Sequence, residues 1–410
     1  MQFSDLSLNK SILKALTELR YHTATLVQQK AIPEILSKKD VIVSAQTGTG
    51  KTAAFSLPII EGLIEEQDSE KREKKIKALI VSPTRELAIQ IEENVKAYCK
   101  YTNLRTTAVY GGVSLEPQKD ILKKGIDILI ATPGRLIDLH KQGCVDLRLL
   151  KTLVLDEADL MLDMGFINDV KKIEELCPRK KQTLLFSATM PEKIVVLANS
   201  TLINPVKIAI NPEVATSKNI GQLLYFVPKK NKTDLCLHLL RNTINGKIII
   251  FRRTKFGVGK LEQTLLKNDY KVTSLHGDKT QSLRNEAIEL FKNNKVNILI
   301  ATDVASRGID VSKVDAVINF DLPNIPETYI HRIGRTGRAG KSGIAFSLCS
   351  ADETAYVRKI QEKLQRKIQV IEDHPFPLNK PKPKKQPNTV SKHKKGRKST
   401  ASKKKKKRWY

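Results

Sequence analysis

The chain has 410 residues and carries Lys+Arg 72 against Asp+Glu 43, a formal net charge of +29. At roughly 100–200 residues per domain, that length predicts two or three domains, each able to bury its own core, which excludes a small scaffold held by disulfides. The five cysteines, Cys99, Cys144, Cys177, Cys236 and Cys349, show no Cys-x-x-Cys spacing, and the longest uncharged run, Ile194 to Val206, is interrupted by Asn199, Asn204 and Pro205, which excludes a zinc ribbon and a membrane span.

Taken in chain order, the start Met1-Gln2-Phe3-Ser4-Asp5 lacks the basic and apolar regions of a secretory leader. It predicts a protein that remains in the cytoplasm, where scattered thiols stay reduced. Short runs rich in Val, Ile and Leu then recur at Val41–Ala45, Ala78–Ser82, Ile128–Ala131, Leu153–Leu155 and Leu184–Phe186. Such runs between helical patterns predict buried parallel strands. Residues 206–221 read as a linker, after which the rhythm restarts at Leu223–Val227, Ile248–Phe251, Ile298–Ala301, Val317–Phe320 and Ile344–Leu348. The expectation is α/β: a first domain over 1–205 and a second over 222–374, each a parallel sheet wrapped by helices. Residues 375–410 hold 15 Lys+Arg and no Asp or Glu, about half of the net charge. They cannot bury enough apolar surface to fold and predict a disordered tail that meets polyanions, with solvation alone as the alternative.

The chemistry concentrates at strand ends. Directly after the first strand stands Ala45-Gln46-Thr47-Gly48-Thr49-Gly50-Lys51-Thr52, a P-loop whose first glycine is replaced by alanine. Its glycines let backbone N–H groups approach phosphates, Lys51 reaches the β/γ-phosphates, and the Thr52 hydroxyl can ligate Mg²⁺. The run Leu153–Leu155 leads into Asp156-Glu157-Ala158-Asp159. Asp156 is suited to hold Mg²⁺ and Glu157 to orient and deprotonate an attacking water. Alone, such a tetrad reads as a helix start; paired with an upstream P-loop it indicates a nucleotide hydrolase. Gly257-Val258-Gly259-Lys260 has only half of a P-loop and is followed by Leu261, so it reads as a helix start and not as a second phosphate loop.

Together with these two motifs, further segments in fixed order resemble the DEAD-box RNA helicases over residues 3 to about 370. In the first domain they are Pro83-Thr84-Arg85-Glu86-Leu87, Gly111-Gly112, Thr132-Pro133-Gly134-Arg135 and Ser187-Ala188-Thr189. In the second they are Phe251-Arg252-Arg253-Thr254-Lys255, Gln281 with Arg284, Ala301-Thr302-Asp303 through Gly308-Ile309-Asp310, and His331-Arg332-Ile333-Gly334-Arg335-Thr336-Gly337-Arg338. The short start, Thr254-Lys255-Phe256-Gly257 and the basic tail look most like the bacterial RhlE group.

The resemblance implies two RecA-like domains with ATP and Mg²⁺ in the cleft between them and RNA bound across both. It assigns nucleotide contacts to Gly308 and Asp310, and arginine fingers on the γ-phosphate to Arg335 and Arg338. Ser187, Thr189 and His331 would couple the nucleotide to strand separation. RNA contacts fall to Pro83, Thr84, Arg85, Gly112, Thr132, Gly134, Arg135, Thr254, Arg284, Thr302 and Asp303. Gln28 would read the adenine edge, although the two prolines the family carries before it are replaced by Ala24-Thr25-Leu26-Val27. Phe3 would stack on the base, or else anchor the core.

The implied activity is an ATP-dependent RNA helicase and RNA-stimulated ATPase acting on single-stranded and duplex RNA without sequence preference. A DNA helicase is the alternative within the same chemistry, and a strand-annealing RNA chaperone the alternative outside it. The RNA target is open, and protein partners from ribosome assembly or RNA turnover are both compatible.

Overall fold

Four-residue runs of Val, Ile and Leu are too short to bury a helix but long enough to cross a sheet covered on both faces, and that is how the chain uses them. The structure is a computed structural model that describes residues 1–46, 48–67, 75–210, 220–306, 314–337 and 343–378. The first sheet contains β1 (Val41–Ser44), β2 (Ala78–Val81), β3 (Thr106–Val109), β4 (Ile128–Ala131), β5 (Thr152–Leu155), β6 (Gln182–Ser187) and β7 (Val206–Ala209) in the order β3-β4-β2-β5-β6-β1-β7. The second contains β8 (Ile220–Phe226), β9 (Ile248–Phe251), β10 (Val272–Leu275), β11 (Ile298–Ala301), β12 (Ala316–Asn319), β13 (Gly343–Cys349) and β14 (Gln369–Val370) in the order β10-β11-β9-β12-β13-β8-β14. All pairings within both sheets are parallel.

Alternation along each strand feeds two cores per sheet. In the first, Val41, Val43, Ile80, Val154, Leu184 and Phe186 face one helical layer, while Ile42, Leu79, Val81, Leu153, Leu155 and Leu185 face the other. The second sheet divides Ile248, Ile250, Ile298, Ile300 and Ile318 from Ile249, Phe251, Leu299 and Val317 in the same way. Among the described residues, no helix is long and apolar enough to cross a membrane.

Two segments, the linker and the tail, differ from the sequence reading. Val206–Ala209, expected in the linker, is the edge strand β7 in register with Val41–Ser44, and Ile208 is buried. The turn at Asn204 and Pro205, where Asn204 has φ 46°, ends the preceding helix and hides a strand too short and mixed to read as one. At the other side, Ile220 and Gly221 already belong to β8, paired with Gly343 and Ile344. The second correction concerns Pro375–Leu378, expected in the tail. Phe376 packs on the core of the second domain, and Leu378 N–H donates to Phe226 O at 2.9 Å. One half-buried ring and one backbone bond offset the solvation of a segment whose lysines begin later, at Lys380. The expected disorder of the Lys-rich tail beyond Leu378 lies outside the described residues.

Candidate nucleotide and RNA sites

Because β5, β6 and β1 are neighbours in the first sheet, the loops at their carboxyl ends meet. Ala45 N–H donates to Ser187 O at 2.9 Å, which seats the P-loop against the end of β6. Gly48 and Gly50 have φ of 87° and 90°, a conformation that glycine adopts without strain. A Cβ on Gly50 would also collide with Gln28 Nε2. Lys51 opens the helix Lys51–Gln67 and donates from Nζ to Glu157 Oε1 at 2.8 Å, with 5% and 10% of the two side chains exposed. Burial lowers the affinity of Lys51 for its proton, but Glu157 and Asp156 outweigh it and raise its pKa. Asp156, 2% exposed, accepts from Glu157 N–H at 3.0 Å; burial pushes its carboxyl up to about 7 against the pull of Lys51. Glu157 itself has φ 52°, uncommon for a non-glycine residue, and this backbone strain turns its side chain to Lys51.

The fourth residue of that tetrad is wired elsewhere. Asp159 Oδ2 accepts from Thr189 N–H at 3.0 Å and Thr189 Oγ1 at 2.9 Å, while Asp159 N–H donates to Ser187 Oγ at 3.2 Å. Ser187 Oγ in turn donates to Thr189 O at 2.6 Å. The segment expected to couple the nucleotide is thus bonded to the same loop that carries Asp156 and Glu157.

The two residues assigned to adenine both have partners within the first domain. Gln28 is buried, accepts from Thr25 N–H at 2.8 Å and donates to Gly50 O at 3.1 Å, so its amide closes a helix cap and braces the P-loop. Phe3 is 3% exposed inside the first core, the anchor position rather than an open ring face. Thr52 is half-buried one residue along the helix from Lys51. Ala45 is buried and Gln46 half-buried, and Gln46 O accepts from Thr49 Oγ1 at 2.7 Å. Thr47, Gly308, Asp310 and Arg338 lie outside the described residues. Arg335 is 7% exposed at the end of the helix Pro326–Ile333, which also holds His331, half-buried.

The residues expected on RNA occupy the loops at the carboxyl ends of β2, β3, β4, β9, β10 and β11 and the first turns of the helices that follow them. Helix N-termini and their free N–H groups favour phosphate there. Buried Pro83 leads into Thr84, whose Oγ1 accepts from Leu87 N–H at 3.3 Å; Thr254 Oγ1 accepts from Gly257 N–H at 3.1 Å. Both hydroxyls keep a proton to donate. Thr132 precedes the helix Pro133–Lys141, and exposed Gly134 has open space where a Cβ would stand. The Arg85 guanidinium lies against Gly112, whose φ of 78° and lack of a side chain both permit the contact. Arg135 Nη2 donates to Val113 O at 3.0 Å. Burial lowers the Arg85 pKa and the nearby guanidiniums of Arg284 and Arg135 reinforce this, against Glu86, so three cations share one region.

Glu86 is the member sequence reasoning left without a role. It is buried, its Oε1 accepts from Gln281 Nε2 of the second domain at 3.1 Å, and it lies 2.8 Å from Arg284 Nε. Thr302 is half-buried beside Asp303, and Asp303 forms a bidentate pair with Arg332 at 2.6 and 2.7 Å. Arg332 also reaches Asp321 O, and Asp321 pairs with Arg252 at 3.0 Å. Deeper still, Lys232, 3% exposed, meets Glu353 at 2.5 Å, and Glu353 also takes Arg253 at 2.9 Å. This ionic network fixes the end of β9 that carries Thr254. Neither Lys232 nor Glu353 belongs to a motif, and no local pattern announces them. The segment Gly257–Lys260 lies within the helix Lys255–Leu266, as its reading as a helix start requires.

Residues 25–196 match the DEAD/DEAH box helicase family and residues 208–340 the helicase conserved C-terminal domain. Over 370 residues the chain is 45% identical to the DEAD-box ATP-dependent RNA helicase RhpA of Helicobacter pylori, covering 90% of this chain and 74% of that one. It is 40% identical to the DEAD-box ATP-dependent RNA helicase CshA of Bacillus subtilis, covering 89% and 73%. Among solved structures, Mss116p bound to single-stranded RNA and AMP-PNP superposes with a TM-score of 0.82 at 33% identity, over 91% of this chain and 80% of that one. Dbp5 of S. cerevisiae bound to RNA and ADP BeF3 gives 0.79 at 29%, over 90% and 95%. Scores this high over nine-tenths of the chain require both domains to superpose together. The domains are therefore placed as in those RNA- and nucleotide-bound proteins, and the Glu86 contacts belong to that arrangement.

Proposed function

The chain belongs to the DEAD-box ATP-dependent RNA helicases and is an RNA-stimulated ATPase that separates RNA strands, and from this premise we propose how its own residues perform the reaction. The observation that carries the proposal is the buried contact of Lys51 Nζ with Glu157 Oε1 at 2.8 Å. In this contact each side chain neutralises the other. A γ-phosphate competes for the Lys51 ammonium, and its arrival releases Glu157 to accept a proton from the attacking water. The contact thereby keeps the base occupied until substrate is in place. Arg335 and Arg338 would act on the phosphate from the second domain, so that turnover requires the two domains to come together.

Thr52 and Asp156 would hold Mg²⁺. A hydroxyl and a carboxylate are the hard oxygen donors this ion takes, and Asp156, buried and pushed up to about 7, gains from a neighbouring cation. Among the described residues no cluster of three or more His, Cys, Asp or Glu could hold a metal without the nucleotide. When bound, the ion neutralises phosphate charge.

Asp159 carries the nucleotide state to Ser187 and Thr189 through its three hydrogen bonds. Arg85, Arg135 and Arg284, with the hydroxyls of Thr84 and Thr254, grip phosphates without reading bases. Gln28 contributes by holding Gly50 more than by reading adenine. The proposal extends to a cytoplasmic protein of the RhlE group that works with ribosome-assembly or RNA-turnover proteins. Its support is Thr254-Lys255-Phe256-Gly257 and the basic segment after Leu378.

The test is displacement of a labelled strand from a short RNA duplex, with ATP hydrolysis followed in parallel. ATP-dependent displacement stimulated by RNA and not by DNA is expected. Stimulation by DNA alone favours the DNA helicase, and displacement indifferent to ATP favours the annealing protein.

A further inference from the structure

Phe256 is 80% exposed, the highest value among the large hydrophobic side chains described. Single exposed apolar residues are ordinary on protein surfaces. This one differs by its place. It is the second residue of the helix Lys255–Leu266, two positions after Thr254, where β9 delivers the chain to the face assigned to RNA. Lys255 Nζ lies 5.4 Å from its ring centroid, and that ammonium is held by Asp278 at 2.8 Å in the loop after β10. At Gly277, beside Asp278, a Cβ would meet no atom within 4 Å, so the space there is open. Leu283, 49% exposed, stands next to Arg284 on the following helix of the same face.

An aromatic ring beside an ammonium, among helix N-termini, matches what single-stranded nucleic acid requires: cationic groups for the phosphates and a π-face for the base. Every base has such a face, so a stacked contact adds affinity without sequence preference. We infer that Phe256 is a stacking platform for one base of the bound RNA strand. This rests on the RNA-face reading above and adds a base contact to residues assigned to phosphates.

The experiment measures single-stranded RNA binding by the full chain with a non-hydrolysable ATP analogue present. Phe256→Ala is expected to weaken binding on the order of tenfold, with Phe256→Trp near wild type. A strand carrying one abasic site, moved nucleotide by nucleotide, should lose affinity for the wild type at one position and for Phe256→Ala at none. If Arg284→Ala weakens RNA binding while Phe256→Ala does not, the stacking role is overturned, the RNA face stands, and the ring serves an apolar protein partner or none. If neither substitution changes binding, the RNA-face reading itself fails and the inference falls with it.

Discussion

Glu86→Gln removes one negative charge from the contact that joins the two domains. In the described arrangement Glu86 Oε1 accepts from Gln281 Nε2 at 3.1 Å and lies 2.8 Å from Arg284 Nε, with 7% of the Glu86 side chain and 15% of the Arg284 side chain exposed. Burial this deep leaves little solvent screening to discount. A hydrogen bond to a charged group contributes about 1.5–3 kcal/mol. The Arg284 Nε–H is close to the carboxylate but not aligned with it, which leaves Gln281 as the aligned donor and favours the lower end of that range. Glutamine keeps an oxygen acceptor for Gln281, so the loss is the difference from a neutral hydrogen bond, about 1 kcal/mol, and at about 1.4 kcal/mol per factor of ten the joined arrangement becomes less populated by about fivefold. RNA and ATP must supply the difference, so the RNA concentration for half-maximal ATP hydrolysis should rise by about the same factor. Turnover at saturating RNA should change far less. A pair of fluorophores, one on each domain, should report the same shift in the RNA needed to bring the domains together. A half-saturation concentration within twofold of wild type would refute the reasoning. A lower one would reverse it, because Glu86 would then compete with RNA for Arg284 rather than join the domains.

Lys51→Ala should abolish most ATP hydrolysis while leaving RNA binding within a few-fold, since its side chain meets Glu157 and not the residues assigned to RNA; turnover within twofold of wild type contradicts the nucleotide site. Arg335→Ala and Arg338→Ala should each lower kcat by on the order of 10³ to 10⁵, with little change in KM for ATP, if they act on the transferring phosphate; a rise in KM at normal kcat contradicts that role. Deleting residues 379–410, which keeps Phe376 and Leu378 on the second domain, should weaken RNA binding and flatten its salt dependence. If about six of the 15 Lys+Arg in this segment meet phosphates, the slope of log K against log[salt] loses about 4. An unchanged slope makes the segment a solubility element or a protein contact.

What could be read in advance divides along a physical line. That Lys51, Asp156 and Glu157 would stand together was legible because phosphate chemistry dictates residue types at fixed spacing and because both segments follow short apolar strands. The five strands expected in each domain exist, but β3, β7, β10 and β14 were not foreseen. Thr106–Val109 and Val272–Leu275 contain threonine or serine amid the apolar residues, Gln369–Val370 is two residues long, and Val206–Ala209 follows a turn that mimics a linker. The role of Glu86 depends on a residue 195 positions away, and that of Lys232 on Glu353, 121 positions away, so no local pattern could show them. Gln28 was chosen for its amide, and the amide is used, but toward Gly50. Phe3 was weighed between base and core; the surrounding Leu6, Leu8 and Ile12 seat it in the core.

The central claim, that ATP bound at the Lys51 and Glu157 site drives closure on RNA and that hydrolysis releases it, is tested most directly by Glu157→Gln. The substitution keeps Asp156 and the P-loop but removes the base, which is worth on the order of 10² to 10⁴ in rate. RNA dissociation after ATP addition should slow by a comparable factor, while one round of strand separation proceeds at an amplitude near wild type. Wild-type release of RNA in the presence of ATP, with hydrolysis suppressed, would contradict the account.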